Sequence, residues 1–137
     1  MSRLQFALGR EDRVIVTLPS HKPGSASVRV GKAKVRVGSL SCAVDVTFDQ
    51  KVLRAFFKSI RKCHRALAGR FVLRSLNDSF RLVGEIAPHG HVRVKVSCDR
   101  TIHRQRDDPQ WKLEAAFSMP SDALLEALTA VREGRAD

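Results

Sequence analysis

Tyrosine is absent from this chain of 137 residues, tryptophan occurs once, and there are only three cysteines. Single-strand nucleic-acid binders stack bases on exposed rings, so that work would fall to the seven phenylalanines. Six of them (Phe48, Phe56, Phe57, Phe71, Phe80 and Phe117) lie on apolar phases and read as core. The cysteines Cys42, Cys63 and Cys98 are odd in number and form no Cys-x-x-Cys pair. A disulfide framework and a zinc knuckle are therefore not expected. All three fall in phase with apolar neighbours and read as small buried thiols. No apolar run approaches the ~20 residues that a membrane-crossing helix needs. The segment Met1-Ser2-Arg3-Leu4-Gln5-Phe6 lacks the apolar centre of a secretory signal. No membrane role is expected, and the expected location is the cytoplasm. No stretch is poor in apolar residues, which make up 43% of the chain, so global disorder is excluded. A chain of this length can bury a core without metal or disulfide help, and it reads as one domain over residues 1–137.

Carboxylates are scarce where the cations are dense. The formal net charge is +11, but residues 1–98 carry +13 and residues 99–137 carry −2. Two windows, Arg13–Val44 and Gln50–Asn77, contain no Asp or Glu at all. One-signed segments repel themselves and set up a field that attracts polyanions, whether an acidic protein or a nucleic acid.

Catalytic patterns are missing too. No Gly-x-Ser-x-Gly elbow occurs. Cys63 and His64 are adjacent in sequence, but helix neighbours project about 100° apart and do not face each other. His89 and His91 flank Gly90, yet a metal would need a third ligand such as Asp99 or His103, which no spacing rule supports. Gly31-Lys32-Ala33-Lys34 lacks the first glycine and the hydroxyl residue of a phosphate loop. The carboxylates sit at caps, turns and outward strand phases, and nothing pairs them for acid–base work. No helix-turn-helix, finger or RNP-type signature appears. No catalytic residue, metal site or cofactor is assigned.

What is present is a readable alternation of strands and helices. Arg13–Leu18 reads as a strand, preceded by a short one around Leu4–Leu8. Pro19–Ser27 is a polar loop. Val28–Val37 alternates, but its apolar phase switches at Gly31, which predicts a bulge or tight turn there. Leu40–Phe48 alternates cleanly. Thr47-Phe48-Asp49-Gln50 then offers a capping box, or Asp49 as the cap. The following helix carries Leu53, Phe56, Phe57, Ile60, Cys63 and Leu67 on one stripe, and Gly69 is expected to end it in a left-handed conformation. Its opposite face carries Lys51, Arg54, Lys58, Arg61, Lys62 and Arg65. Phe71–Leu76 is expected to meet Phe80–Ile86 across Asn77-Asp78, and Phe80–Ile86 to meet Val92–Cys98 across Ala87–Gly90. Arg104–Gln110 is a charged loop. Trp111–Met119 is the last strand. A closing helix begins at Ser121, with Leu124, Leu125, Leu128 and Val131 as its stripe and Gly134 at its end. No internal repeat is visible. The expectation is an α+β domain: a mostly antiparallel sheet of six to seven strands with two helices packed on one face. The second sheet face should carry Arg36, Arg74, Arg81, Arg93, Lys95 and Lys112.

From Gly38 onward a diffuse pattern runs through roughly residues 38–133. It comprises the strand Leu40–Phe48 leading into Thr47-Phe48-Asp49-Gln50, a helix with Phe56-Phe57, and Gly69-Arg70-Phe71-Val72-Leu73. The strand Phe80–Ile86, the hairpin His89-Gly90-His91-Val92-Arg93-Val94, the strand Leu113–Phe117 and a closing helix follow. In this pattern the chain resembles the WapI-like immunity proteins of bacterial toxin systems. The resemblance implies a small, non-catalytic inhibitor that neutralises a cognate toxin by binding it. Together with the net charge, it implies that the cognate surface is acidic.

The expected partner-binding residues are Arg54, Lys58, Arg61, Lys62 and Arg65 on the helix, with Arg93 and Lys95 on the sheet as a second patch. The same residues would serve the alternative reading, a sequence-neutral nucleic-acid binder that grips phosphates. Whether the chain dimerises through an open sheet edge is left open.

Overall fold

The computed structural model describes residues 4–18, 28–76, 79–100 and 111–127. The loop expected at Pro19–Ser27, the turn at Asn77-Asp78, the loop at Arg104–Gln110 and the positions Leu128, Val131 and Gly134 lie outside them, wholly or in part.

The strands run β1 (Leu4–Gly9), β2 (Arg13–Leu18), β3 (Val28–Val37) and β4 (Leu40–Asp49), then helix α1 (Gln50–Ala66). After it come β5 (Arg70–Arg74), β6 (Phe80–Ile86), a single 3-10 turn at Pro88–Gly90, β7 (His91–Arg100) and β8 (Trp111–Pro120). Residues 122–127 begin the closing helix. Among the described residues all strand pairings are antiparallel and between sequence neighbours, so the molecule is α+β.

The expected single sheet of six to seven strands is instead two four-stranded sheets, β1-β2-β3-β4 and β5-β6-β7-β8. The reason lies in α1. A helix of 17 residues, about 25 Å long, stands between β4 and β5, so the two cannot form a hairpin, and Leu76, past the end of β5, meets β4, its N–H donating to the Thr47 carbonyl at 2.8 Å. Hairpin pairing therefore restarts in a second meander. The order of four strands then a helix occurs twice, a repeat of topology that no repeated residues announce in the sequence.

The strand β3 corrects a second expectation. It pairs without interruption from Val28↔Asp49 to Val37↔Leu40, and the turn falls at Gly38-Ser39 rather than at Gly31. Gly38 has φ 60°, and its N–H donates to the Asp12 carboxylate at 2.9 Å. The phase does not switch. Arg29 and Gly31 continue the inner-face series of Ala33 and Val35, and Val30 lies outside, 61% exposed. The start of the strand extends past the packed centre, where Arg29 donates to the Leu18 carbonyl at 3.3 Å.

Alternation sets the core. In β2 and β7, in β4 from Val44 onward and in β6 as far as Gly84, every second residue is buried, and the two inner faces share one continuous apolar cluster with α1 and the closing helix. Aromatic rings join the layers. Phe56 of α1 lies 5.6 Å from Phe6 of the first sheet and 5.8 Å from Phe71 of the second. Phe48 meets Phe80 edge-on at 6.2 Å. In the closing helix the buried residues are Ala123, Leu124 and Ala127, while Leu125 is 47% exposed and leaves the expected stripe.

Gly84 is a position where only a hydrogen fits. It pairs across the ladder with Phe71, whose ring occupies the space that a β-carbon would take. Gly84→Ala must push that ring off Phe56. It is expected to lower unfolding free energy by about 1–3 kcal/mol, as overpacking does, measured by urea denaturation.

Candidate functional site

Helix α1 begins because Asp49, in extended conformation, accepts a hydrogen bond from the Lys51 N–H at 2.8 Å. Of the two caps the sequence offers, Asp49 is the one used. The helix ends two residues earlier than expected. Leu67 is its left-handed cap, with φ 53° and ψ 36°, and Gly69, also at positive φ (114°), follows beyond the helix. Leu67 is thereby exposed, and the buried stripe is Leu53, Phe56, Phe57, Ile60 and Cys63.

That stripe decides where the cations go. At 100° per residue, Lys51, Arg54, Lys58, Arg61, Lys62 and Arg65 fall within an arc of about 100° on the side away from the core. All six are exposed. The helix holds no carboxylate, not even in the first turn, where the dipole favours one. Among the described residues none of these cations forms an ion pair. Arg54–Lys58, Lys58–Lys62 and Arg61–Arg65 are like-charged at four-residue spacing, each costing about 0.2–0.5 kcal/mol. A helix that carries this repulsion without internal relief has its counter-charge to find elsewhere.

Arg93 and Lys95 are also exposed, on β7. The structure does not bring them to the α1 cations. They alternate with buried Val92, Val94 and Val96, so they project from the outer face of the second sheet. Because α1 packs on the inner side of that sheet through Phe56 and Phe71, the sheet lies between the two patches. The seven expected residues are thus two separate surfaces. Of the others expected on the second face, Arg74, Arg81 and Lys112 share it, whereas Arg36 stands opposite Arg13 on the outer face of the first sheet. Arg70 also lines the second outer face; the alternation of β5, with Phe71 and Leu73 inward, was the signal that could have found it.

Other chemistry finds no assembly. Cys63 is buried while His64 is partly exposed, in keeping with their different directions on the helix. Among the described residues no three of His, Cys, Asp and Glu come together as a metal site. His91 is exposed, and the His89 side chain lies outside the described residues. No described helix is long and apolar enough to cross a membrane.

The thiols make one testable contribution. Burial pushes Cys98 far above the ordinary thiol range, and the touching Cys42 side chain adds to the shift. Burial raises Cys63 as well, with Lys62 opposing it. A folded-state pKa above the unfolded one gives stability that is complete below ~8.5 and is lost as pH rises beyond it. Unfolding free energy should therefore fall above pH ~8.5 by up to about 1.4 kcal/mol per pH unit for each such thiol. Cys98→Ala should flatten that slope, measured by urea denaturation between pH 8 and 10; equal slopes would refute the assignment.

Scans of family models, of curated proteins and of solved structures gave no match to this chain.

Proposed function

We propose that this is a non-catalytic binding protein of the immunity type, which neutralises a cognate toxin in the cytoplasm by occluding an acidic surface. One observation carries the reading: the carboxylate-free outer arc of α1, with six exposed cations and no ion pair among the described residues. Complementary charge of this kind speeds encounter and selects partners, and contacts at the centre of the interface supply most of the affinity. Arg54, Lys58, Arg61, Lys62 and Arg65 are the contact residues. Arg93 and Lys95 face the other way and are not needed for the same contact. The burial of Phe48, Phe56, Phe57, Phe71, Phe80 and Phe117 removes every one of these rings from base stacking. That favours a protein partner over a single-stranded nucleic acid.

The test is capture from lysate of the native cells, with and without nuclease. One acidic protein should remain after nuclease, should be lost when Arg54, Lys58 and Arg61 are reversed to Glu, and should inhibit growth when produced alone. Cargo that vanishes with nuclease would overturn the reading and assign the arc to phosphates, with the steep salt dependence such contacts have.

A further inference from the structure

The outer face of the second sheet is hollowed into a concavity of about 690 Å³. Its chemistry differs from that of α1. Arg70, Glu85 and Arg93 stand side by side across β5, β6 and β7. The next row is Val72, Val83, Lys95 and Ala116, which puts an apolar floor beside the charges. Neighbours in such rows are about 5 Å apart at their β-carbons, close enough for arginine and glutamate to pair. Yet among the described residues Arg70, Glu85, Arg93 and Lys95 form no ion pair. Glu114 at the rim is already neutralised by Lys112 at 3.0 Å. Among the described residues the hollow therefore offers four cations, Arg70, Arg81, Arg93 and Lys95, and the carboxylate of Glu85 with hydrogen-bonding capacity to spare, around a floor of small apolar side chains.

We propose that this face is a second binding site, for an extended acidic peptide segment that carries an apolar side chain. Its carboxylates pair with Arg70, Arg93 and Lys95, its apolar side chain rests on Val83 and Ala116, and a backbone or side-chain N–H donates to Glu85. The carboxylate in the middle of the arginine row repels a phosphate backbone, which sets this face apart from α1. The hollow is an open sheet face with exposed walls, whereas small-molecule sites enclose most of their ligand. The site stands independently of the α1 reading, since the sheet separates the two.

The probe is a blocked peptide of alternating Glu and Leu, titrated into the full-length protein and followed by amide chemical shifts. Saturable shifts at Val83, Lys95 and Ala116 are expected. Arg70→Glu with Arg93→Glu should weaken binding about tenfold or more. Arg93→Gln, which leaves the face closer to its native charge, should weaken it less. Reversal of Arg54, Lys58 and Arg61 should leave it unchanged. Shifts confined to α1, no saturation at millimolar peptide, or equal binding of a Glu-only peptide would each overturn the proposal. Because the readout is local to β5–β8, the α1 reading can fail while this one holds, and the reverse.

Discussion

Reversing Arg54, Lys58 and Arg61 to Glu should slow association with the captured acidic partner by about 10- to 100-fold at low salt, within the range that electrostatic steering supplies. The dissociation rate should change less, because rim charges act mainly on encounter. The difference between the native and reversed proteins should shrink as salt rises toward 1 M, where the Debye length falls to about 3 Å. These residues are exposed and without ion-pair partners among the described residues, so the change removes no internal contact. It also replaces part of the repulsion along the helix. The new carboxylates lie three or four residues from Lys51, Lys62 and Arg65, at spacings where opposite charges attract. The variant should therefore unfold at no lower urea concentration than the native protein, which separates a binding defect from a folding defect. Stopped-flow or surface-based kinetics would decide the matter. An unchanged association rate with a folded variant would take the docking face away from α1.

What could be read from the residues alone follows from what alternation and helical spacing can encode. Leu40–Phe48 and the stripe of α1 report which side of each element is buried, and the structure agrees at Val44, Val46, Phe48, Phe56, Phe57 and Ile60. The exposed cations follow directly, since they occupy the complementary phase. Sheet membership does not follow, because alternation says nothing about which strand is the neighbour. The split into two sheets depends on where α1 delivers β5. Patterning misled at Gly31, where Val28 and Val30 imitate a change of phase although the backbone continues unbroken. It misled again at Gly69, where Leu67 takes the left-handed turn. The candidate site was legible as a set of charges and illegible as a geometry. Alternation alone puts Arg93 and Lys95 on the sheet face away from the helices, where they lie exposed, but it cannot supply the register that sets Arg70 and Glu85 beside Arg93.

The largest loss of stability should come from Phe56→Ala. Removing a fully buried phenylalanine side chain costs about 3–5 kcal/mol through lost transfer and the cavity left behind. The ring is 1% exposed and touches Phe6, Phe57 and Phe71, at centroid distances of 5.6, 5.3 and 5.8 Å. Against a total stability of about 5–15 kcal/mol for an ordinary domain, this would bring the protein close to unfolding at moderate temperature. The ring also bridges the two sheets, one neighbour on each. Its loss should therefore be non-additive with Phe6→Ala and with Phe71→Ala, with coupling of about 0.5–3 kcal/mol in double-mutant cycles. Phe57, which is 7% exposed and pairs with Phe6 but, among the described residues, with no ring of the second sheet, should cost less and show no coupling to Phe71. Urea denaturation of the single and double variants measures all of these. A cost for Phe56→Ala below that of Phe57→Ala, or additivity with Phe71→Ala, would mean that the sheets are joined through other contacts, with Phe48 and Phe80 the next pair to test.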